Sequence, residues 1–394
     1  MPDTTQTIGV FFGGQSPEHD VSIITGTLII AGLKRLGYGV MPVYVDKEGG
    51  WNCGDELASI EFYKKEPLPL QKYKGFSVDL DAPAGTMVLV RRGLVSKKYL
   101  INVAFPAFHG QNGEDGTMQG LFEMLGVPYV GCGVAASALA MDKVLTKLMY
   151  EAQGFPTTKF SFFLKREWEA DARDVLARIE QKLRYPLFVK PARLGSSIGI
   201  ARVSKREDLE TAIEVALHYD EKILVEEGVE HVSDITCAVI GNDTPVPSLL
   251  QESVFGGGFL SYDDKYMSDG GTQLGKASAN IIIPAHVDEK TEERITEYAL
   301  SVYRAFECSG IARIDFLYNR ETKGIFINEI NTLPGTLYHH LWKESGVELE
   351  VLLSRLLGYA AERHEKKKKF IRTFESAILK HADWSKKLNP KKNG

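Results

Sequence analysis

An apolar run at Ile8–Phe12 ends in Gly13-Gly14, apolar residues recur at helical spacing over Val21–Leu36 until Gly37, and a second run follows at Val40–Val45. Strand, helix and strand in that order make a βαβ unit, whose crossover lets the two strands lie parallel. Further strands are predicted at Met87–Arg91 and Leu100–Ala104, with a helix over Thr117–Leu125 that closes at Gly126. This succession predicts an α/β chain that opens with a parallel sheet flanked by helices.

At 394 residues the chain exceeds one ordinary core, so it should divide into several domains. Residues 1–130 form the first unit and 131–236 the second. In the second, a helix is expected over Ala138–Ala152, stopped by Gly154-Phe155-Pro156. A strand at Leu187–Lys190 then runs into Pro191-Ala192-Arg193-Leu194-Gly195-Ser196-Ser197-Ile198-Gly199, followed by a helix at Leu209–Leu217 and a strand at Lys222–Glu226. The third unit, 237–362, begins on a strand at Thr236–Ile240. It holds a Gly-rich stretch at 255–275, long and polar enough to be a mobile lid, with a surface insertion as the alternative. Helix Asp288–Ala305 follows. Residues 363–394 are a lysine-rich, solvated extension.

A net charge of -5 argues against a nucleic-acid binder, and no apolar run approaches a membrane span. The first six residues lack the features of a signal peptide, so the expected location is cytosolic. Cys53, Cys132, Cys237 and Cys308 lie far apart without a CxxC pair, which favours buried free thiols over a zinc site or disulfides.

The chemistry concentrates in Ile311–Gly335. Strands are expected at Ile311–Tyr318 and Gly324–Ile330 around a polar turn. Residues two apart share a strand face, so Arg313 lies with Asp315 and Glu329 with Asn331. Antiparallel pairing would merge these faces into a patch of two carboxylates, an amide and a guanidinium. Hard oxygen donors of this kind suit Mg²⁺, although an Arg–carboxylate network in a core hairpin is an alternative the residues leave open. The following Asn331-Thr332-Leu333-Pro334-Gly335 offers backbone N–H groups to an oxyanion, or is a plain Pro-Gly turn. Lys190 and the Gly-Ser-Ser-x-Gly loop behind it supply a charge and several donors for phosphate, without being a P-loop. At Gly13–Ser22, Ser16 is placed to cap a helix and Glu18 to sit at its positive end.

In this order, GGQSPEHDVS (13–22), FHGQNGEDGTMQG (108–120), MDK (141–143), VKPARLGSSIGI (189–200), YDDKY (262–266), RIDF (313–316) and NEINTLPG (328–335) resemble the D-alanine–D-alanine ligase family of the ATP-grasp superfamily. The resemblance spans nearly the whole chain to about residue 360. It implies an α+β ATP-grasp fold, in which the N-terminal domain is followed by two subdomains with nucleotide between them. It also implies the reaction: ATP phosphorylates one D-alanine, and the amine of a second attacks the acyl phosphate, for synthesis of a peptidoglycan precursor.

By position, the resemblance gives Lys143 and Lys190 the ATP phosphates, and Glu226 the adenine amino group near Glu227–Val229. Asp234 stands where the family has a ribose-binding Glu. Asp315, Glu329 and Asn331 would hold two Mg²⁺ ions, with Mn²⁺ as a substitute. Arg313 and the Gly335 amide would stabilise the acyl phosphate and the tetrahedral intermediate. Glu18 would pair with the first ammonium and form a set with Ser196 and Tyr266 that pins the lid. Lys265 would reach the γ-phosphate and the second carboxylate, with His109 beside the second substrate. A homodimer is also implied. The chain departs from the pattern at His340, which stands where most members have the serine that binds the acceptor's carboxylate. Imidazole can donate there, more strongly when protonated. Tyr266 matches members with an amine acceptor, so D-alanine is expected, with D-serine, D-lactate or another acceptor next and a non-catalytic nucleotide-binding module as the remaining alternative.

Overall fold

The computed structural model describes residues 6–93, 96–253, 281–371, 373–376 and 378. The expected lid at 255–275, with Lys265 and Tyr266, lies outside them.

Three sheets organise the described residues. The first has seven strands in the spatial order Lys97–Ile101, Met87–Arg91, Lys74–Val78, Trp51–Cys53, Gly39–Val45, Thr7–Gly13 and Val103–Pro106. Thr7–Gly13 pairs parallel with both of its neighbours, which gives the expected parallel core. The other pairs are antiparallel, and the short turn Asp46–Gly50 can join only antiparallel neighbours. The strand expected at Leu100–Ala104 is in fact two, Lys97–Ile101 and Val103–Pro106, which pair with opposite sides of the sheet.

The second sheet is antiparallel, in the order Ala201–Val203, Leu187–Pro191, Lys222–Glu227 and Phe160–Leu164. The third, also antiparallel, runs Ile281–Ile282, Val246–Ser253, Val232–Gly241, Gly310–Asn319 and Ile325–Asn331. Its strand Val232–Gly241 begins four residues before the expected Thr236 and crosses the division drawn at 236/237.

Helix His19–Arg35 joins the first sheet to the C-terminal part. A Cβ on its Gly26 would fall 2.5 Å from the Phe12 ring, and one on Gly32 would fall 2.4 Å from a Leu353 methyl. Glycine therefore lets the helix sit close both to the sheet and to helix Leu349–Lys368. Val10, Phe12, Ile30, Leu337, Trp342 and Leu353 share one core across this contact.

The helix expected over Ala138–Ala152 is broken. Val134–Met141 ends at an extended Asp142, whose carboxylate accepts from the amides of Val144 and Leu145 and starts Lys143–Gln153. The capping aspartate turns the chain and places Lys143 at a helix start. Ser16 does not cap its helix; its hydroxyl accepts from the Glu18 amide, and Glu18 occupies the cap position. All four cysteines are buried free thiols. Among the described residues no helix is long and apolar enough to cross a membrane.

Candidate active site

On the second sheet Lys190 faces Leu224, which makes Glu226 its diagonal neighbour on the same side. The Glu226 carboxylate is 2% exposed and pairs with Lys190; its Oε2 lies 2.7 Å from Lys147 Nζ and accepts from the Thr158 hydroxyl at 2.6 Å. Burial opposes charge on Glu226, but Lys147 and Lys190 outweigh it and hold the pKa below the ordinary carboxylate range. Burial likewise works against the Lys190 ammonium, yet Glu226, then Glu329 and Asp234, keep its pKa above the usual lysine value. Sequence reasoning missed Lys147, although its position one helical turn after Lys143 marked it as sharing that face. It also assigned Glu226 to adenine alone, whereas both carboxylate oxygens here engage basic or hydroxyl groups.

The third sheet carries the acids. Gly310–Asn319 and Ile325–Asn331 pair antiparallel as expected, with Asp315 opposite Glu329 and Arg313 opposite Asn331. A bulge sets Phe316 opposite Ile327, which leaves Asn328 unpaired and brings Glu329 and Asn331 to the face of Asp315. Arg313 forks onto Asp315, with Nε 2.9 Å from Oδ1 and Nη2 2.6 Å from Oδ2, and lies 3.7 Å from Glu329. Burial disfavours the Arg313 charge, but Asp315 more than compensates and raises its pKa. Asn331 Nδ2 donates to Asp315 at 3.2 Å, and the Thr236 hydroxyl donates to it at 2.9 Å. Registers extend this row: Gln251 lies opposite Thr236, and Thr236 opposite Asp315. Gln251 and Thr236 were not among the expected site residues.

Among the described residues no three His, Cys, Asp or Glu side chains are grouped to hold a metal by themselves. Two carboxylates and an amide on one face nonetheless fit a hard cation that completes its shell with phosphate oxygens and water.

Between the second and third sheets lies a cleft lined by Lys143, Lys190, Glu226, Glu227, Val229, Asp234, Arg313, Asp315 and Glu329. A second cavity, toward the first sheet, is lined by Glu18, Glu114 and Asn331. Lys143, Gly195, Asn328 and Glu329 line both, so the two spaces meet there. Lys143 Nζ donates to the Leu194 carbonyl at 2.7 Å beside this junction. Glu18 accepts a hydrogen bond from the Ser196 hydroxyl. A Cβ at Gly195 would come 2.6 Å from its Oε2, and one at Gly110 3.1 Å, so only glycines leave room for the carboxylate. Ser196 and Ser197 both adopt positive φ, a strained backbone held by this packing.

His109 sits behind the cavity. Its Nε2 lies 2.9 Å from the Thr25 hydroxyl, which also accepts from the Thr336 amide at 3.0 Å. The loop after Pro334 is thereby tied to helix His19–Arg35. The Pro334-Gly335 segment was expected to offer backbone N–H groups to an oxyanion, or to be a plain turn. The left-handed residues are the next three, Thr336, Leu337 and Tyr338, with φ of 48°, 57° and 50°. Such strain persists where packing fixes it, and Thr336, Leu337 and Tyr338 are all buried. Beyond them, His340 Nε2 lies 2.7 Å from Gln251 Oε1. Burial, then the nearby His339 and Arg313, push its imidazole down to about 4, so the ring is neutral at neutral pH.

Antiparallel sheets closing on a lysine- and acid-lined cleft, beside an α/β domain, are the arrangement of an ATP-grasp protein. Comparison with known proteins narrows this to a family. Residues 7–132 match the model of the D-ala D-ala ligase N-terminus and 149–358 that of its C-terminus. A D-alanine–D-alanine ligase of Geobacillus thermodenitrificans is 40% identical over 372 residues, covering 93% of this chain and 99% of the relative. A D-alanine–D-alanine ligase structure from Coxiella burnetii superposes with a TM-score of 0.78 at 29% identity, covering 96% of this chain and 99% of that one. The VanG D-Ala:D-Ser ligase of Enterococcus faecalis gives 0.74 at 30% identity, covering 90% and 99%. The chain belongs to the D-alanine–D-alanine ligase family, a family of ATP-using carbon–nitrogen ligases.

Proposed function

We propose that this chain joins two D-alanines at the expense of ATP, giving D-alanyl-D-alanine, ADP and phosphate for a peptidoglycan precursor. The observation that carries this reading is the junction at Lys143, Gly195, Asn328 and Glu329, where a cleft with phosphate-type groups opens into the cavity of Glu18. A carboxylate substrate beside Glu18 can there meet the end of a nucleotide in the cleft.

In the first step a carboxylate oxygen of the first D-alanine attacks the γ-phosphorus, and ADP leaves. In the second, the amine nitrogen of the other D-alanine attacks the carbonyl carbon, phosphate leaves, and the amine sheds its protons. Glu18 would hold the first ammonium, and Lys143 and Lys190 the phosphates. Arg313 and the Gly335 amide would meet charge that develops on the acyl phosphate and the tetrahedral intermediate. Asp315, Glu329 and Asn331 would hold Mg²⁺, which when bound neutralises the transferring phosphoryl group. Lys265 and Tyr266 would close the site from the lid. Residues 1–130 then serve the first amino acid, and 131–236 with 237–362 the nucleotide. A cytosolic homodimer belongs to the same reading.

His340 in place of the family's usual serine keeps another acceptor, D-serine first, as the second reading. Phosphate release with a panel of D-amino acids, D-lactate and L-amino acids tests both. Stimulation by D-alanine alone supports the first reading. A larger response to a mixture of D-alanine and D-serine supports the second, and no response to D-alanine overturns both.

A further inference from the structure

Gln251 is fully buried on strand Val246–Ser253, on the same face as Ser253, which lines the cleft. It ends the polar row Glu329–Asp315–Thr236–Gln251 that crosses the third sheet. A primary amide in so dry a position should have all its hydrogen bonds made, since an orphaned buried donor is costly. Its oxygen accepts from the His340 ring at 2.7 Å, but its nitrogen has no hydrogen bond. The Tyr338 hydroxyl lies near the amide, yet without acceptable hydrogen-bond geometry.

His340 shows the complementary pattern. With Nε2–H committed to Gln251, the neutral ring has only the Nδ1 lone pair left, and that atom is also buried without a partner. A lone pair repels a carboxylate, so the ring has no donor to offer one. The ring is further fixed by Tyr338, 4.9 Å away centroid to centroid, and Tyr338 lies under the Arg313 guanidinium at 4.8 Å.

We propose that the side-chain amide nitrogen of Gln251 is the donor that binds the carboxylate of the second amino acid, and that His340 is the positioning residue that orients it. This rests on the ligase reading. It reverses the expected role of His340: the residue that replaces serine does not take over the hydrogen bond but aims a neighbouring strand's amide to make it. The arrangement also requires no charge on the imidazole.

The test compares Gln251→Met with His340→Gln in the intact enzyme, reading phosphate release against D-alanine and against ATP. Gln251→Met removes the donor at similar volume. The KM for the second D-alanine should rise about tenfold or more, with the ATP KM and the kcat at saturation within about threefold. His340→Gln places an N–H where the ring's Nε2–H was, so the same KM should stay within about threefold. The reverse pattern, with His340→Gln severe and Gln251→Met mild, would overturn the proposal. The His340 tautomer, read by long-range ¹H–¹⁵N NMR on the unmutated enzyme, decides the case if a variant fails to fold. A proton on Nε2 supports the proposal, and a proton on Nδ1 makes the ring itself the donor and overturns it. Wild-type enzyme with no D-alanine-dependent turnover at all would sink the ligase reading instead, and this inference with it.

Discussion

Around Lys190 each buried charge meets an opposite one, whereas around His340 there are polar groups but no counter-ions. Lys147, Lys190 and Arg313 stand against Glu226, Asp315 and Glu329. At the other end of the row, Gln251 and His340 share one neutral hydrogen bond and each keep a buried atom unpartnered. The charged side is thus neutralised before any ligand arrives, and on the proposed reading its pairs would fix positions for a triphosphate and its cations. The acceptor side is left unsatisfied, and a bound substrate can complete it. Rigid charge suits a group that is the same in every turnover. Orphaned neutral polar atoms suit discrimination, because a ligand that fails to match them leaves their desolvation uncompensated.

Three changes probe this contrast, in decreasing order of effect. Glu329→Gln should lower kcat by at least about a hundredfold, since it weakens both the cation site and the partner of Arg313. Its thermal unfolding should change little, because the Arg313–Asp315 fork remains; near-normal turnover would show that the acid row does not serve the chemistry. Lys147→Met should cost about 3 kcal/mol of stability in denaturant titrations, because it strips one cation from a carboxylate that cannot reach water. A loss below about 1 kcal/mol would mean that Lys190 alone satisfies Glu226.

The third change is in pH. His340 titrates near 4 in the folded chain, below the ordinary histidine value. Between those two pH values the unfolded chain binds the proton and the folded chain does not, so stability falls as pH is lowered through that window. The His340 share should be about 2 kcal/mol between pH 7 and pH 5, seen as the difference between the wild type and His340→Asn in unfolding at the two pH values. Identical pH dependence in both would mean that the ring titrates in the folded chain as it does in the unfolded one.

The contrast also explains what the sequence could disclose. Period-two alternation and turn residues located Gly310–Asn319 and Ile325–Asn331 within a residue or so, because a buried face must stay apolar whatever the function. The bulge that brings Glu329 opposite Asp315 has no such signature, since one extra residue changes no residue type. Asp142 was read inside a helix because Met141 and Lys143 continue the helical pattern; its capping role depends on a sharp turn of the backbone. Lys147 was not singled out at all, as its burial depends on Glu226 arriving from 79 residues later in the sequence. Gln251 gave no signal at all. An amide at mid-strand is chemically informative only once the partner from the loop beyond Gly335 is seen beside it.

The most direct test is a coupled assay of purified protein with Mg²⁺ and ATP, reading phosphate release while the product is followed by mass spectrometry. It predicts that D-alanine stimulates phosphate release and that D-alanyl-D-alanine accumulates in equal amount. ATP consumption that ignores D-alanine, or stimulation without dipeptide, would contradict it.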